Sequence, residues 1–430
     1  MKKVQVAQKP IRLSFTDSEQ EGCYKIDTPF YVMDYVPKNK LEWAVGPFAG
    51  ISYMLEVEGL DKEVEDHVRK LAIDYTTWAQ YLQHKEVRYE NYFINLQKLH
   101  NDYPINNLKG SLNGTGNVLF VGGGQSTLDE IDNIKKIIDD KSALVIAGGT
   151  GIRLLLERGI QPHMALAYDG FETEWTHVFS KFDSKLTKDI PLICYLALNP
   201  KCYDYWKGPK IIIGGQESFS NKSGIDGIDH LSEGGSGVST AILHIANYMA
   251  ANSLYYIGLD LSFVEKDGKI YSHAGIEMKD TSKVIEMQDP VTGEMKKTTR
   301  IFAKEYHFLT RNKFKTLKLF NCSKIGFNIH GFEKIDIKDI PTQEYKLDIG
   351  KAFSRADKKR IDKNLKKVKT ELGVIADRGI TPATKNTLIY TVIFAPYDAV
   401  QMYRETWTRV YDDSHIKLLA KSLYEVIDEK

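Results

Sequence analysis

The stretch Val118-Leu-Phe-Val-Gly-Gly-Gly-Gln-Ser-Thr-Leu-Asp-Glu-Ile-Asp132 decides the fold, because an apolar run stops at three glycines and a helical pattern begins directly afterwards. The glycines, Gly122–Gly124, allow a sharp turn and a close approach of the backbone to a ligand. Residues Gln125–Thr127 open the helix, whose first N–H groups have no partner inside the helix. A phosphate placed there meets backbone donors and the positive end of the helix dipole. The stretch therefore predicts a strand, an anion-binding turn and a helix.

Two common phosphate-binding patterns do not fit this turn. A P-loop carries a lysine before its Ser or Thr to contact the terminal phosphates, and Gln125 stands at that place. A dinucleotide fingerprint has a third glycine where Thr127 stands, and an acidic residue about 20 residues further on, after the second strand. The second apolar run, 143–149, ends in two glycines instead. The turn is therefore typical neither of a P-loop kinase nor of an NAD or FAD protein.

Composition limits the classes of protein that need to be considered. The chain has 430 residues, 42% of them hydrophobic, which is enough for two or three domains with a substantial core. Its formal net charge of +1 gives no overall attraction to nucleic acid, and we interpret the basic run 358–369 as a solvated helix face. The four cysteines form no CxxC pair, which argues against disulfides and zinc. Without a signal-peptide pattern or a long apolar segment, we expect a cytoplasmic protein that binds neither nucleic acid nor a membrane.

Three parts of the chain differ in their pattern. Residues 1–113 are rich in aromatic and charged side chains and predict an N-terminal α+β accessory region, with a helix over about 62–99. Residues 114–340 alternate short apolar runs with helical patterns, and residues 341–430 are mainly helical. We therefore predict an α/β fold with a doubly wound, Rossmann-like, mostly parallel central sheet. A C-terminal helical domain would serve packing, self-association or acceptor docking.

The central part contains apolar runs that we interpret as buried strands. Their nearly continuous content of Ile, Leu, Val and Tyr is typical of a parallel sheet that is covered on both faces. Ligands of such sheets bind at the carboxyl ends of the strands. Turn signals in the segment 265–300 predict a β-hairpin insert of one or two hairpins beside this edge, as a sheet extension or an acceptor lid. The predicted strands are 118–121, 143–147, 164–168, 191–196, 210–213 and 253–259.

Glycines and acidic residues follow several of these runs. The segment 148–151 follows the second run, Asp169 follows the third and Asp260 follows the last. A further loop, 233–238, precedes a strong helical pattern and again combines glycines with a hydroxyl. Two helix starts of this kind predict a nucleotide-binding site in which the protein contacts both the phosphate and the sugar. Taken singly, each loop is equally well explained as a tight turn between a strand and a helix.

Taken together, five motifs resemble the motility accessory factor family: 122–128, 159–169, 235–241, 256–261 and 272–274. These bacterial proteins are implicated in glycosylating flagellin with nonulosonic acids. Their central domain is similar to archaeal 6-hydroxymethylpterin diphosphokinase and, more distantly, to bacterial sialyltransferases that use CMP-sialic acid. The resemblance covers residues 117–331. The chain departs from it at Gln125, which replaces a proline, at His163, which replaces an aspartate, and near Gly149, where the sialyltransferases have an asparagine.

The resemblance implies a glycosyltransferase that moves a sialic-acid-like sugar from a CMP-activated donor to a hydroxyl of a protein or glycan acceptor. His273 would accept the proton of that hydroxyl. Asp260 would orient this base, bind a ribose hydroxyl or hold Mg²⁺, and Asp169 is the other candidate metal ligand. The expected nucleotide-binding residues are Gly122, Gly123, Gly124, Gln125, Ser126, Thr127, Gly149, Asp169, Gly235, Ser236 and Gly237.

Two other functions remain open from the sequence. One is diphosphate transfer from Mg-ATP to a hydroxymethylpterin, a reaction that depends on positioning and on charge neutralisation by metal ions. The other is a non-catalytic role, in which a nucleotide-binding or structural protein keeps the fold without the chemistry.

Overall fold

The structure of the protein is a computed structural model. Contacts between residues divide the chain into two compact units, one made of Met1–Glu86 with Ala395–Asp412 and the other of Val87–Phe394 with Asp413–Lys430. The residues described are 11–27, 32–38, 41, 55–65, 67–68, 87–214, 228–229, 231, 237–267, 269–273, 276–278, 281, 284–311, 314, 316–343, 345, 347, 354–379, 381 and 413–428.

The first unit contains a mixed sheet of four strands. Strand β1 is Ile11–Asp17, β2 is Cys23–Asp27, β3 is Val32–Pro37 and β4 is Leu55–Glu58. The strand order is β3-β2-β1-β4, and only the β1–β4 pairing is parallel. In the helix predicted over about 62–99, residues 62–65 and 67–68 are helical, and residues 66 and 69–86 lie outside the described residues. The predicted N-terminal α+β character is therefore visible where this unit is described.

The second unit is built on a sheet of nine parallel strands, which confirms the predicted α/β class. The strand order is β18-β17-β11-β6-β7-β8-β9-β10-β5. The six predicted strands are all present, as β6 to β11. The bounds are β5 Tyr103–Pro104, β6 Asn117–Val121, β7 Leu144–Gly148, β8 Met164–Ala167, β9 Leu192–Tyr195, β10 Lys210–Ile213, β11 Ser253–Ile257, β17 Lys318–Asn321 and β18 Glu333–Lys334.

Helices connect these strands and cover the sheet. Every residue of β6, β7 and β11 is buried, as a sheet covered on both faces requires. The helices are α1 Gln125–Asp129, α2 Ile131–Asp140, α3 Thr150–Leu156, α4 Glu172–His177, α5 Pro200–Tyr205, α6 Val238–Tyr248, α7 Arg300–Arg311, α8 Lys358–Arg378 and α9 Asp413–Asp428. No described helix is long and apolar enough to cross a lipid bilayer.

The strand order places a switch point between β6 and β11. From β6 the chain moves outward through β7, β8, β9 and β10, and then returns to form β11 on the other side of β6. Crossovers between parallel strands are almost always right-handed, so the connections before and after this return lie on opposite faces of the sheet. A crevice opens at such a point, beyond the carboxyl ends of the two strands.

The predicted hairpin insert follows β11. It comprises β12 Val264–Lys266, β13 Lys269–His273, β14 Ile276–Glu277, β15 Val284–Gln288 and β16 Met295–Thr299, arranged as a three-stranded and a two-stranded antiparallel sheet. Hydrogen bonds connect β16 to the segment after β11: the Thr298 hydroxyl donates to the Leu261 carbonyl at 2.6 Å, and the Phe263 N–H donates to the Lys297 carbonyl at 2.8 Å. The insert therefore lies beside the carboxyl edge of the sheet.

Asp289 fastens the turn of this two-stranded sheet. One carboxyl oxygen accepts the N–H groups of Val291 and Thr292, and the other accepts the N–H of Asn328 at 2.9 Å. Burial alone would raise the pKa of Asp289, but these hydrogen bonds outweigh it and hold the pKa at about 2. The ionised carboxylate thus ties the insert to the loop after β17.

Candidate functional site

The glycine loop, Gly122–Gly124, lies at the switch point and packs tightly against the end of β11. A Cβ atom added to Gly122 would lie 2.7 Å from the Gly258 carbonyl oxygen, and one added to Gly124 would lie 2.5 Å from Oδ2 of Asp260. Gly258 has a φ of +72°, and a Cβ there would lie 2.1 Å from the Thr127 hydroxyl oxygen. Glycine is therefore required on both sides of this contact.

Most of the loop's described N–H groups bond within the protein, which corrects the expectation that the helix start leaves them open. Gly122 N–H donates to Ile257 and Gly124 N–H to Gly258, at 2.8 and 2.9 Å. The Ser126 N–H donates to Oδ2 of Asp260 at 3.0 Å. Buried backbone donors need a partner, and here the fold supplies one. The first turn of α1 thus holds the chain's own carboxylate.

Asp260 is buried, with 3% of its surface exposed, and its second oxygen, Oδ1, has no hydrogen-bond partner among the described residues. Burial raises the pKa of Asp260, and the hydrogen bond from Ser126 N–H partly offsets this effect. The hydroxyl of Ser126 is likewise buried without a partner. The structure therefore places Asp260 where it shapes the glycine loop, directly at the crevice.

The second predicted loop contacts both the glycine loop and the start of α6. A Cβ atom added to Gly151 would lie 2.9 Å from the Gly122 carbonyl oxygen, and one added to Gly149 would lie 3.6 Å from Cγ2 of Val238, the first residue of α6. Gly149 and Gly237 are both half-buried. Gly235 and Ser236 lie outside the described residues. The fold thus gathers the glycine loop, Gly149 and Gly237 on one edge.

A buried carboxylate also lies at the start of α6. Glu305, from α7, is 4% exposed, and the Ser239 hydroxyl donates to its Oε1. A Cβ atom added to Gly237 would lie 3.4 Å from the same oxygen. Both helix starts that the sequence predicts as phosphate sites therefore have an acidic side chain of the protein beside them.

Asp169 and His273 occupy different parts of the unit. Asp169 is half-buried just beyond β8, and its Oδ1 accepts the Phe171 N–H at 3.0 Å. His273 is the last residue of β13, where its backbone pairs with Ile276, and its side chain lies outside the described part of the structure. Within the described residues, no group of three or more His, Cys, Asp or Glu side chains is arranged to hold a metal ion.

Two asparagines that the sequence did not indicate support this edge from the helical segment 87–96. The amide nitrogen of Asn91 donates to the carbonyls of Gly170 and Ala197, at 2.9 and 3.2 Å. That of Asn95 donates to Leu196 and Leu198, at 2.7 and 2.8 Å. Their spacing of four residues places them on one helix face, but the sequence gives no signal for partners about a hundred residues away.

Comparison with protein families identifies part of this architecture. Residues 90–266 match the model of the family described as 6-hydroxymethylpterin diphosphokinase MptE-like. This matched segment, which we call the MptE-like domain, is similar to that family and covers less than half of the chain. It begins in the helical segment that carries Asn91 and Asn95 and extends into the hairpin insert, so it includes both sides of the switch point.

A solved structure extends the likeness beyond the MptE-like domain. The MAf glycosyltransferase from Magnetospirillum magneticum AMB-1 superposes with a TM-score of 0.52 over 91% of the present chain, at 16% sequence identity. The chain spans 62% of the length of that protein. A search of curated protein sequences finds no significant match. The resemblance to the motility accessory factor family is confirmed through the MptE-like domain and the shared fold.

Proposed function

We propose that this protein is a glycosyltransferase that moves a nonulosonic, sialic-acid-like sugar from a CMP-activated donor to a hydroxyl of a protein or glycan acceptor. The observation that carries the proposal is the meeting of the glycine loop, Gly149 and the start of α6 at the switch point of the sheet. Nucleotides bind at such points in doubly wound folds. The fold shared with the MAf glycosyltransferase supports glycosyl transfer as the reaction.

The half-buried segment Gly123–Gln125, where the glycine loop joins α1, is where the donor phosphate would lie. Donors fixed by the fold before the reaction stabilise the charge that grows on the departing CMP. Asp260 would act as a positioning residue, because its carboxylate holds the Ser126 N–H and so fixes the start of α1. His273 would accept the acceptor's proton, as the family resemblance implies.

A second candidate is Mg²⁺-dependent diphosphate transfer from ATP to a hydroxymethylpterin, which the description of the MptE-like family favours. Asp169 or Asp260 would then bind the metal ion that neutralises the phosphates. The chain extends well beyond the matched residues, 90–266, on both sides. These additional parts suit a protein or glycan acceptor better than a pterin.

Isothermal titration calorimetry with CMP, CTP, and ATP plus Mg²⁺ separates the candidates. Binding of CMP without metal supports sugar transfer, binding of ATP only with Mg²⁺ supports diphosphate transfer, and no binding supports a non-catalytic role. Release of CMP from CMP-N-acetylneuraminic acid then measures the reaction. His273→Ala should lower kcat by roughly 10² to 10⁴ with CMP affinity retained. An unchanged kcat would remove His273 from the mechanism.

A further inference from the structure

The loops after β8 and β9 form a second polar surface on the carboxyl edge, which we call the β8–β9 surface and define by Arg88, Tyr168, Asp169 and Glu174. All four residues are half-buried, so they combine a fixed position with access to solvent. None of them belongs to the glycine loop or to α6. The surface is therefore a separate region of the same edge.

The backbone beneath this surface is held rigidly. Asn91 bridges the carbonyls of Gly170 and Ala197, and so joins the loop after β8 to the loop after β9. Gly170 fits tightly in this contact, because a Cβ atom there would lie 2.7 Å from the Ala197 carbonyl oxygen. Two loops that are fixed to each other and to a helix can hold side chains in a defined arrangement.

An aromatic ring forms part of the surface. Tyr168 packs edge-on against Tyr195, with ring centroids 4.9 Å apart and an interplanar angle of 84°. The guanidinium carbon of Arg88 lies 5.4 Å from the centre of the Tyr168 ring. An aromatic ring next to carboxyl groups suits a sugar, because the ring packs against C–H groups and the carboxyls bond to hydroxyls.

Glu174 is the unusual member of the surface. Its Oε1 is closed off from solvent and has no hydrogen-bond partner among the described residues. Burial, together with the neighbouring charge of Asp169, raises the pKa of Glu174 to about 8. Glu172, on the same helix, is exposed instead and pairs with Lys201 at 2.8 Å. A buried carboxyl oxygen that lacks a partner is a group that a ligand or a proton transfer can use.

The surface lies at a suitable distance from the glycine loop. One strand, β7, separates β6 from β8. Neighbouring strands are about 4.8 Å apart, so the ends of β6 and β8 are separated by roughly 10 Å. A sugar attached to a phosphate at the glycine loop would reach the β8–β9 surface.

We propose that the β8–β9 surface binds a monosaccharide unit taking part in the transfer and that Glu174 forms a hydrogen bond to a hydroxyl group of that unit. This inference rests on the proposed function. The hydroxyl oxygen forms a bond to the anomeric carbon, the bond from that carbon to the phosphate oxygen breaks, and its electron pair leaves with CMP. The proton passes to His273, as in the proposed function. Glu174 acts as a positioning residue, because a carboxyl group can donate or accept a hydrogen bond with a sugar hydroxyl.

Labelling of the full chain tests the surface without an activity assay. Hydrophobic carbodiimides react with protonated carboxyl groups, so mass spectrometry should find Glu174 modified at pH 7, with the yield falling as the pH rises through about 8. N-acetylneuraminic acid or galactose, added with CMP, should lower the labelling of Glu174 at least 3-fold. Glu172 serves as the internal control and should not be protected. Failure of both sugars to protect Glu174 would overturn the binding surface.

Kinetics test the contact between Glu174 and the sugar. Glu174→Ala should lower kcat/KM for transfer from CMP-N-acetylneuraminic acid to lactose by about 10-fold or more, as the loss of one hydrogen bond to the sugar predicts. Glu172→Ala should behave as the unmodified protein does. A Glu174→Ala protein with unchanged kcat/KM would refute the role of Glu174. If the unmodified protein neither cleaves nor transfers the donor, the proposed function fails, and the labelling experiment alone decides whether the sugar surface exists.

Discussion

The loops after β6 and β8 lie on the same edge of the sheet, with only β7 between their strands. They differ in how far the protein itself provides hydrogen-bond partners for their polar groups. At the glycine loop the N–H groups of Gly122 and Gly124 bond to the carbonyls of Ile257 and Gly258, and the Ser126 N–H bonds to Asp260, so the fold itself uses these donors. At the β8–β9 surface the backbone carbonyls are held from below by Asn91 and Asn95. There burial, together with the neighbouring charge of Asp169, raises the pKa of Glu174 to about 8.

In a glycine motif, backbone packing and ligand binding therefore place separate requirements on the residues. Glycine is needed at Gly122 and Gly258 because the two backbones touch, whatever ligand binds above them. Which ligand can bind depends instead on the polar groups that have no hydrogen-bond partner within the protein. Among the described residues these include the Ser126 hydroxyl, Oδ1 of Asp260 and Oε1 of Glu174.

The largest expected effect is at the contact between the glycine loop and β11. Gly258→Ala should reduce the free energy of unfolding by roughly 4 kcal/mol or more, because the new methyl group would overlap the Thr127 hydroxyl oxygen. Gly114→Ala is the matched control, since Gly114 has the same φ of +72° but no atom within 4 Å of the added Cβ. It should lose only about 1 kcal/mol from backbone strain. Chemical denaturation measures both, and equal losses would show that the contact is not tight.

A smaller effect is expected beneath the β8–β9 surface. Asn95→Ala should cost about 2 to 4 kcal/mol in unfolding free energy, since two buried carbonyls, those of Leu196 and Leu198, lose their donor. Gln97→Ala provides the comparison, because its amide also bonds two carbonyls but is only partly buried. We expect a cost under about 1 kcal/mol there. Similar costs in the two variants would mean that burial does not set the energy of this support.

Glu174 should make stability depend on pH. Its folded pKa of about 8 lies above the unfolded value of 4.5, so its contribution is complete below pH 4.5 and is lost as the pH rises to about 8. Compared with Glu174→Gln, the unmodified protein should therefore lose on the order of 3 kcal/mol between pH 5 and pH 8. Glu172→Gln should leave the pH dependence of urea denaturation unchanged. Parallel curves for Glu174→Gln and the unmodified protein would contradict the raised pKa.

The smallest effect on stability is expected at Ser126. Its hydroxyl is buried without a partner, so Ser126→Ala should change the unfolding free energy by less than about 0.5 kcal/mol. Calorimetry should nevertheless show CMP binding weakened about 5-fold or more if the hydroxyl bonds the phosphate. Unchanged CMP affinity would show that the glycine loop is a packing motif only.

Sequence patterns were sufficient to predict the architecture of the second unit. Continuous apolar runs such as 118–121 and 253–259 are typical of strands in a parallel sheet that is covered on both faces. Turn signals in 265–300 predicted the hairpin insert. The same patterns predicted that Gly122, Gly149 and Gly237 would share one edge, because strand ends of a parallel sheet meet there. The roles of these residues in binding remain predictions.

The acidic side chains that lie at the N-termini of α1 and α6 could not be predicted, because they come from distant parts of the chain. Asp260 reaches Ser126 across 134 residues and Glu305 reaches Ser239 across 66. A local motif shows that a helix start needs an acceptor, but it does not show which group supplies one.

The local sequence is enough to predict the periodic features of this protein: where apolar strands alternate with helices, and where glycines permit the backbone to turn, since both depend on neighbouring residues. Which polar groups have partners became visible only in the folded molecule. The N–H groups of Gly122 and Gly124 are paired by Ile257 and Gly258, the Ser126 N–H by Asp260 and the carbonyls after β9 by Asn95, while Glu174 has a buried, unpaired oxygen. The physical reason is that burial and hydrogen-bond pairing depend on segments far apart in the chain that come together only in the folded molecule.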